Sequence, residues 1–263
     1  MEWLAYLGIG ALVGFAAGLL GIGGGVVMVP MLVLVFTAYG LPPEHVLHLA
    51  LGTALATIVF TSLSSMRAHH SRGAVDWVIA RAMSPGILVG SFAAALVAGS
   101  IPTRPLALMF TALVFYAATQ ILFDLRPSKT RPLPGAAGVF AAGAVIGAIS
   151  SLVAAGGAFL SIPFLTWCRV PLRRAIGTAA ANGLPIAIAG SAGYVLQGWR
   201  AEGLPRASVG YVYLPALALL VITSMLTAPV GAWLAHRLPV QRLRQIFAAL
   251  LYVLAIKMLA GVW

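Results

Sequence analysis

The chain has 263 residues, of which 61% are apolar and only 8% charged, and its mean hydropathy is +1.02. A soluble domain carries about 25% charged residues, so a water-soluble globule is excluded. A disordered chain is excluded too, as is a disulfide scaffold, since Cys168 is the single cysteine. What remains is an all-α integral membrane protein that crosses the bilayer several times.

The net charge of +11 sets 14 Arg and 2 Lys against five acids, Glu2, Glu44, Asp76, Asp124 and Glu202. In a soluble protein that balance points to nucleic acid. Here the basic residues sit in short loops between apolar runs, where Arg and Lys fix topology, and no polar domain is present to hold a nucleic acid. No nucleic-acid partner is therefore expected; the lipid bilayer is. No cleaved leader is expected either, because Glu2 replaces a basic start and the first apolar stretch is too long.

In chain order the eight apolar runs are 4–38, 46–66, 77–100, 104–123, 135–168, 175–197, 207–236 and 240–262. A straight crossing needs about 20 residues. Runs 4–38 and 135–168 are nearly twice that length, and each is interrupted: by Gly21–Ile22–Gly23–Gly24–Gly25 in the first and Ala154–Ala155–Gly156–Gly157 in the second. Clustered glycine breaks a helix. Each long run therefore predicts two short helices joined by a glycine turn, either two full spans or a hairpin that dips in and returns.

The long runs also resemble each other. A shift of 133 lays Leu19 on Leu152, Gly23–Gly24 on Gly156–Gly157 and Pro30 on Pro163. A shift of 125 lays Gly52–Thr53 on Gly177–Thr178 and Gly73 on Gly198, and one of 137 lays Pro102 on Pro239, Leu106 on Leu243 and Phe110 on Phe247. These matches predict a tandem duplication, an N-terminal transmembrane repeat 1–125 and a C-terminal one 132–263, joined by the charged linker Asp124–Arg131. If each long run returns to its starting face, 12 of the 16 basic residues fall on one side, against only Arg104, Arg200, Arg206 and Lys257 on the other. If each crosses once, the division is 9 to 7 and the usual positive-inside bias is lost. Matching loops also exchange character: Leu41–Glu44 carries no basic residue, while Arg169–Arg174 carries three. The expectation is two inverted repeats, with both termini on the non-cytoplasmic side of a cell membrane.

Inverted repeats with broken helices are a signature of secondary transporters, whose substrate binds near the midplane. A helix that starts inside the membrane offers unpaired N–H groups and the positive end of its dipole, and glycine lets a ligand approach that backbone. Helix starts after Gly25 and Gly157 are thus expected to converge on one small anion, with Gly23, Gly24, Gly25, Gly156 and Gly157 shaping the site. The plainer alternative is that these glycines only permit tight helix packing. Thr53, Thr178 and Asn182 are the expected side-chain ligands, Asn182 lying one turn after Thr178 as Thr57 lies after Thr53. Ser150 and Ser151 stand just before the second break, where bonding to their own helix is the competing role. His69 and His70 mark a span end on the basic side. His45 and His48 have metal-ligand spacing without a third ligand, so neither a metal site nor a cofactor is expected. All five acids lie near segment ends, which disfavours a cation site, and no nucleophile pairs with a base inside the spans, which argues against an enzyme. An anion channel, or a transporter of another small organic anion, is the alternative reading. Nothing in the sequence speaks to oligomeric state.

The run Gly14–Phe15–Ala16–Ala17–Gly18–Leu19–Leu20–Gly21–Ile22–Gly23–Gly24–Gly25, continuing to Pro30, resembles the opening motif of the TauE/SafE sulfite and organosulfonate exporter family. Gly52–Thr53, Gly73 and Asp76–Trp77 resemble that family too, and the weaker copy Gly147–Pro163 is similar to its duplicated plan. The resemblance covers essentially the whole chain. It implies an inner-membrane permease that moves small sulfur-containing anions such as sulfite, sulfoacetate or other organosulfonates, usually outward. The second copy reads Ala154–Ala155–Gly156–Gly157–Ala158, poorer in glycine than the first, which implies a less open second helix start.

Overall fold

The computed structural model describes residues 2–20, 24–123, 131–235 and 240–261, and these are helical nearly throughout. The first half holds α1 (Glu2–Leu20), α2 (Gly25–Ala38), α3 (Val46–Ser71), α4 (Trp77–Ser100) and α5 (Thr103–Phe123). The second holds α6 (Ala136–Leu152), α7 (Ala158–Trp167), α8 (Leu172–Gly198), α9 (Leu214–Ala235) and α10 (Val240–Gly261). Both overlong runs break at their glycine clusters. By themselves α3, α4, α5 and α8 are long and apolar enough to cross a membrane.

Small residues set the helix packing. Gly86 and Gly90 on α4 lie against the carbonyls of Phe140 and Ala144 on α6, while Gly147 on α6 lies against that of Ile87. On α1, Gly10 and Gly14 seat against Leu220 and Ser224 of α9. The packing glycines are spaced by four, Gly10 and Gly14 on α1, Gly86 and Gly90 on α4, Gly143 and Gly147 on α6, which puts a flat stripe on one face and lets backbones touch in lipid. A side chain at any of these glycines would meet backbone atoms of the facing helix.

The same contacts fix direction. Along α4 and α6 the contact numbers rise together, so these helices are parallel. Along α4 and α8 they rise together as well: Met83 meets Asn182, Ala95 meets Gly193, and Leu96 accepts from the Gln197 amide at 3.2 Å. The helices on either side of α7 therefore run the same way, and the segment α6–break–α7 returns to its starting face. A single crossing by the second long run is thereby excluded. Between α3 and α8 the order reverses: Gly52 meets Tyr194, Leu55 meets Gly190 and Ser62 meets Gly183, so these long helices cross antiparallel.

Two boundaries differ from the sequence expectation. Helix α3 continues to Ser71, beyond the apolar run ending at 66, because His69, His70 and their neighbours extend it past the hydrophobic stretch without a breaker until Gly73, whose φ is +62°. The run 207–236 is not one helix. Its first residues form a β-hairpin in which Ser208–Val209 pair with Val212–Tyr213, turning at Gly210 with φ +55°. That hairpin caps one end of the α3/α8 pair, its Tyr211 carbonyl lying against Gly52 and its Gly210 against Val195.

Candidate functional site

The second break is built from local rules. Helix α6 ends as the Ala155 N–H donates to the Ser150 carbonyl at 2.8 Å, with Ala154 in the left-handed region at φ +47°. Gly157, at φ +77°, then becomes the N-cap of α7, and its carbonyl accepts from Leu160 and Ser161 at 3.2 and 2.8 Å. The first break repeats this geometry: Gly24 has φ +61°, caps α2, and its carbonyl accepts from Val27 and Met28 at 3.2 and 3.1 Å. Such a φ belongs to glycine, since a Cβ there clashes with the backbone.

Neither helix start has a side-chain cap or an acid in its first turn. Their leading N–H groups and dipole ends are thus left to a ligand or water. The two breaks also touch: Gly25 lies directly against the Ala154 carbonyl, and only the absence of a side chain at position 25 permits it. Gly25 further meets Ile58, the middle of α3, while Gly156 and Gly157 meet Gly183 and Ile186, the middle of α8. Helices of 26 and 27 residues are about 39–40 Å long. The breaks therefore sit near half height, deep in the bundle.

Unpaired polar groups lie on the elements that flank the second break. Asn182, Ser150 and Ser161 are each 0% exposed, and Asn182 Oδ1, Ser150 Oγ and Ser161 Oγ have no hydrogen-bond partner. The Asn182 amide nitrogen has only the Met83 sulfur, at 3.5 Å, a weak acceptor. Ser161 Oγ lies 3.6 Å from where a Cβ of Gly157 would stand, so the hydroxyl is turned back over the helix start. Ser151, by contrast, donates to the Ala148 carbonyl of its own helix at 3.1 Å. A buried hydroxyl or amide without a partner costs about 1–3 kcal/mol, so Ser161 Oγ, unpartnered over the α7 start, marks a place that suits a polar ligand.

Of the expected site residues, the structure brings together Gly24, Gly25, Gly156 and Gly157, with Asn182 next in sequence to Gly183, which meets Gly156, and its amide nitrogen on Met83 of α4; Gly23 lies outside the described residues. Thr53 and Thr178 do not join the cluster. Thr53 Oγ1 accepts from the Tyr213 N–H and Thr178 Oγ1 from the Asp76 N–H, each at 3.0 Å. Those amides sit just before α9 and α4, so the two threonines tie opposite ends of the α3/α8 pair to the other half of the chain. Both hydroxyls are positioned by that bond rather than turned to the breaks. Asp76 in turn caps α4, accepting from Val78 and Ile79 at 3.2 Å.

Ser161 is the residue the sequence reading missed. Its signal is local: the one hydroxyl in Ala158–Leu165, a turn after Gly157. The histidines are occupied otherwise. His45 bonds the Glu202 carbonyl at 3.0 Å, and His48 Nε2 lies 3.2 and 3.0 Å from the carbonyls of Ala98 and Ile101, its ring stacked on Tyr211. Among the described residues no group of three or more His, Cys, Asp or Glu is placed to hold a metal ion.

Comparison with known proteins agrees with this architecture. Residues 6–258 match the family described as Sulfite exporter TauE/SafE. The chain belongs to the TauE/SafE family. A probable membrane transporter protein of Haemophilus influenzae is 37% identical over 252 residues, covering 95% of both chains. The probable membrane transporter protein YdhB of Bacillus subtilis is 28% identical over 87% of this chain and 88% of its own. A third relative, from Methanocaldococcus jannaschii and also named a probable membrane transporter protein, is 26% identical over 95% of this chain and 93% of its own. No solved structure matches. The protein is thus a multi-pass membrane protein of a transporter family.

Proposed function

We propose that this TauE/SafE protein is a secondary transporter that exports small sulfur-containing anions such as sulfite, sulfoacetate or other organosulfonates across the cell inner membrane. It works by alternating access around one anion site at the paired helix breaks, and its halves 1–125 and 132–263 act as two inverted repeats with both termini on the non-cytoplasmic side. One observation carries the reading: two uncapped helix starts, each opened by a left-handed glycine, adjoin at half height of the spanning helices. Backbone N–H groups and dipole ends bind an anion without placing a full positive charge in the bilayer. The substrate class is supported by the family's description.

The test is counterflow in proteoliposomes loaded with unlabelled sulfoacetate or sulfite. The expected result is transient accumulation of labelled substrate above equilibrium, abolished by Gly24→Leu and by Gly157→Leu in protein that still inserts and purifies as a monodisperse species. Absence of flux with every sulfur oxyanion removes the substrate assignment. Full flux in both glycine variants removes the site.

A further inference from the structure

Resting on the reading of the breaks as an anion site, we propose that the anion is held by the second half alone: the α7 start, with Ser161, Ser150 and Asn182 as its side-chain ligands. The first break then contributes only an apolar wall and the close approach of Gly25. The two breaks share a backbone geometry but not a chemistry. From Phe15 to Phe36 the chain has no polar side chain at all, so α2 and the end of α1 offer a ligand nothing but main chain. At the 133 shift, Ser150 and Ser161 correspond to Ala17 and Met28, and Met28 is buried in the apolar core. At the 125 shift, Asn182 corresponds to Thr57, whose hydroxyl is already spent on the Thr53 carbonyl at 2.8 Å. Among the described residues the unpartnered buried side-chain atom placed against a helix start, Ser161 Oγ, belongs to the second half, while the first-half hydroxyl of Ser91 lies further down α6, against Gly147.

The chemistry of that set suits a small oxyanion. Two hydroxyls and the amide of Asn182 donate, joined by the leading N–H groups of α7, whose ten residues form a helix with its positive end inward. Asn182 gives up little on binding, because its present partner is a thioether sulfur. Gly157 lacks the side chain that would stand between Ser161 Oγ and Ile186, leaving the hydroxyl facing the break. On the other side Gly25 is closed off by its contact with the Ala154 carbonyl, which leaves no room for a ligand at that face of the α2 start.

The experiment uses the full chain in proteoliposomes on a Cys168→Ser background, with single cysteines from Ser161→Cys, Ser150→Cys, Ala17→Cys and Met28→Cys. The probe is sulfonatoethyl methanethiosulfonate, a small anion that modifies thiols reached by water. The expected result is labelling at least 10-fold faster at 161 and 150 than at 17 and 28, slowed by sulfoacetate. Labelling with that bias but without protection by sulfoacetate supports the one-sided site and overturns the substrate reading, so the two fail separately. Equal labelling of both halves, faster labelling at 17 and 28, or none at any position overturns the proposal. In transport, Ser161→Ala and Ser150→Ala each raise KM about 5- to 10-fold with kcat kept, whereas Met28→Ser leaves KM unchanged; a fall in kcat at constant KM contradicts a ligand role.

Discussion

Gly25→Ala isolates the contact between the two breaks from every other role a glycine has. Gly25 is the first residue of α2 and lacks the positive φ of Gly24, so alanine meets no conformational penalty there and gains up to about 1 kcal/mol of helix propensity. The only cost is steric. A Cβ at position 25 falls on the Ala154 carbonyl oxygen, within 2.6 Å of Ile58 Cδ1 and 3.1 Å of the Ala154 carbonyl carbon. Ile58 has other rotamers, but a main-chain carbonyl fixed between α6 and α7 has none. Overpacking of this kind costs about 1–3 kcal/mol, and is relieved only by moving the breaks apart. If the adjoining breaks are the binding-competent arrangement, its population falls about 5- to 150-fold, and counterflow falls with it. Gly8→Ala is the control, since nothing lies within 4 Å of a Cβ there. Both variants are compared by counterflow after equal reconstitution, with gel filtration to establish that each is folded. Wild-type transport by a folded Gly25→Ala protein refutes the argument that contact between the breaks matters.

Three further outcomes follow from other parts of the molecule. Thr178→Val and Thr53→Val each leave a backbone N–H without its acceptor and lower stability by about 1–2 kcal/mol, read as an earlier midpoint in detergent unfolding; midpoints equal to wild type contradict the bonds described. Arg174→Ala stays within about 0.5 kcal/mol of wild type, because its pair with Asp76 is long at 3.9 Å and Arg174 is 62% exposed. Ala207→Gly raises stability by about 1 kcal/mol, since Ala207 is exposed and holds φ +67°; the measurement is a rise in melting temperature of roughly 2–4 °C.

The parts of this fold that local rules govern were legible. Hydropathy located the spans, because lipid demands long apolar helices, and the breaks fell at Gly24 and Gly157, because a left-handed residue is a local requirement. Asn182 was legible as an amide in the middle of an apolar span. What escaped was set by partners far along the chain. Thr53 and Thr178 read as ligands, yet their acceptor roles depend on amides 160 and 102 positions away. The hairpin at 208–213 read as the start of a helix because its residues are apolar, and the turn at Gly210 is held by contacts with Val195 and Gly198 of α8. The choice between a single crossing and a return rested on loop charge in the sequence, whereas in the structure it rests on which glycine faces which carbonyl.

Those long-range threonine bonds bear on how a carrier with this site opens. Each end of the antiparallel α3/α8 pair is closed by the same device: a threonine hydroxyl accepts from the amide just before α4 or α9, and the glycine preceding it, Gly177 or Gly52, lies against the carbonyl of Ala74 or Tyr211. Opening the site to one face requires parting one of these closures and keeping the other. The backbone-to-hydroxyl bond at each end has a net worth of about 1 kcal/mol, so the shared device by itself favours neither opening. What surrounds them is unequal. The Tyr211 closure is backed by the His48 ring, stacked at 5.0 Å and bonded to the end of α4, while the Ala74 closure has at its back the exposed bond from Trp77 to His70 and the long Asp76–Arg174 pair. Buried contacts outweigh exposed ones, so the Ala74 end, beside the basic loops of Arg72 and Arg173, is the easier to part. If that end is the cytoplasmic one, as the proposed orientation has it, it is the end that opens to load a substrate for the proposed export.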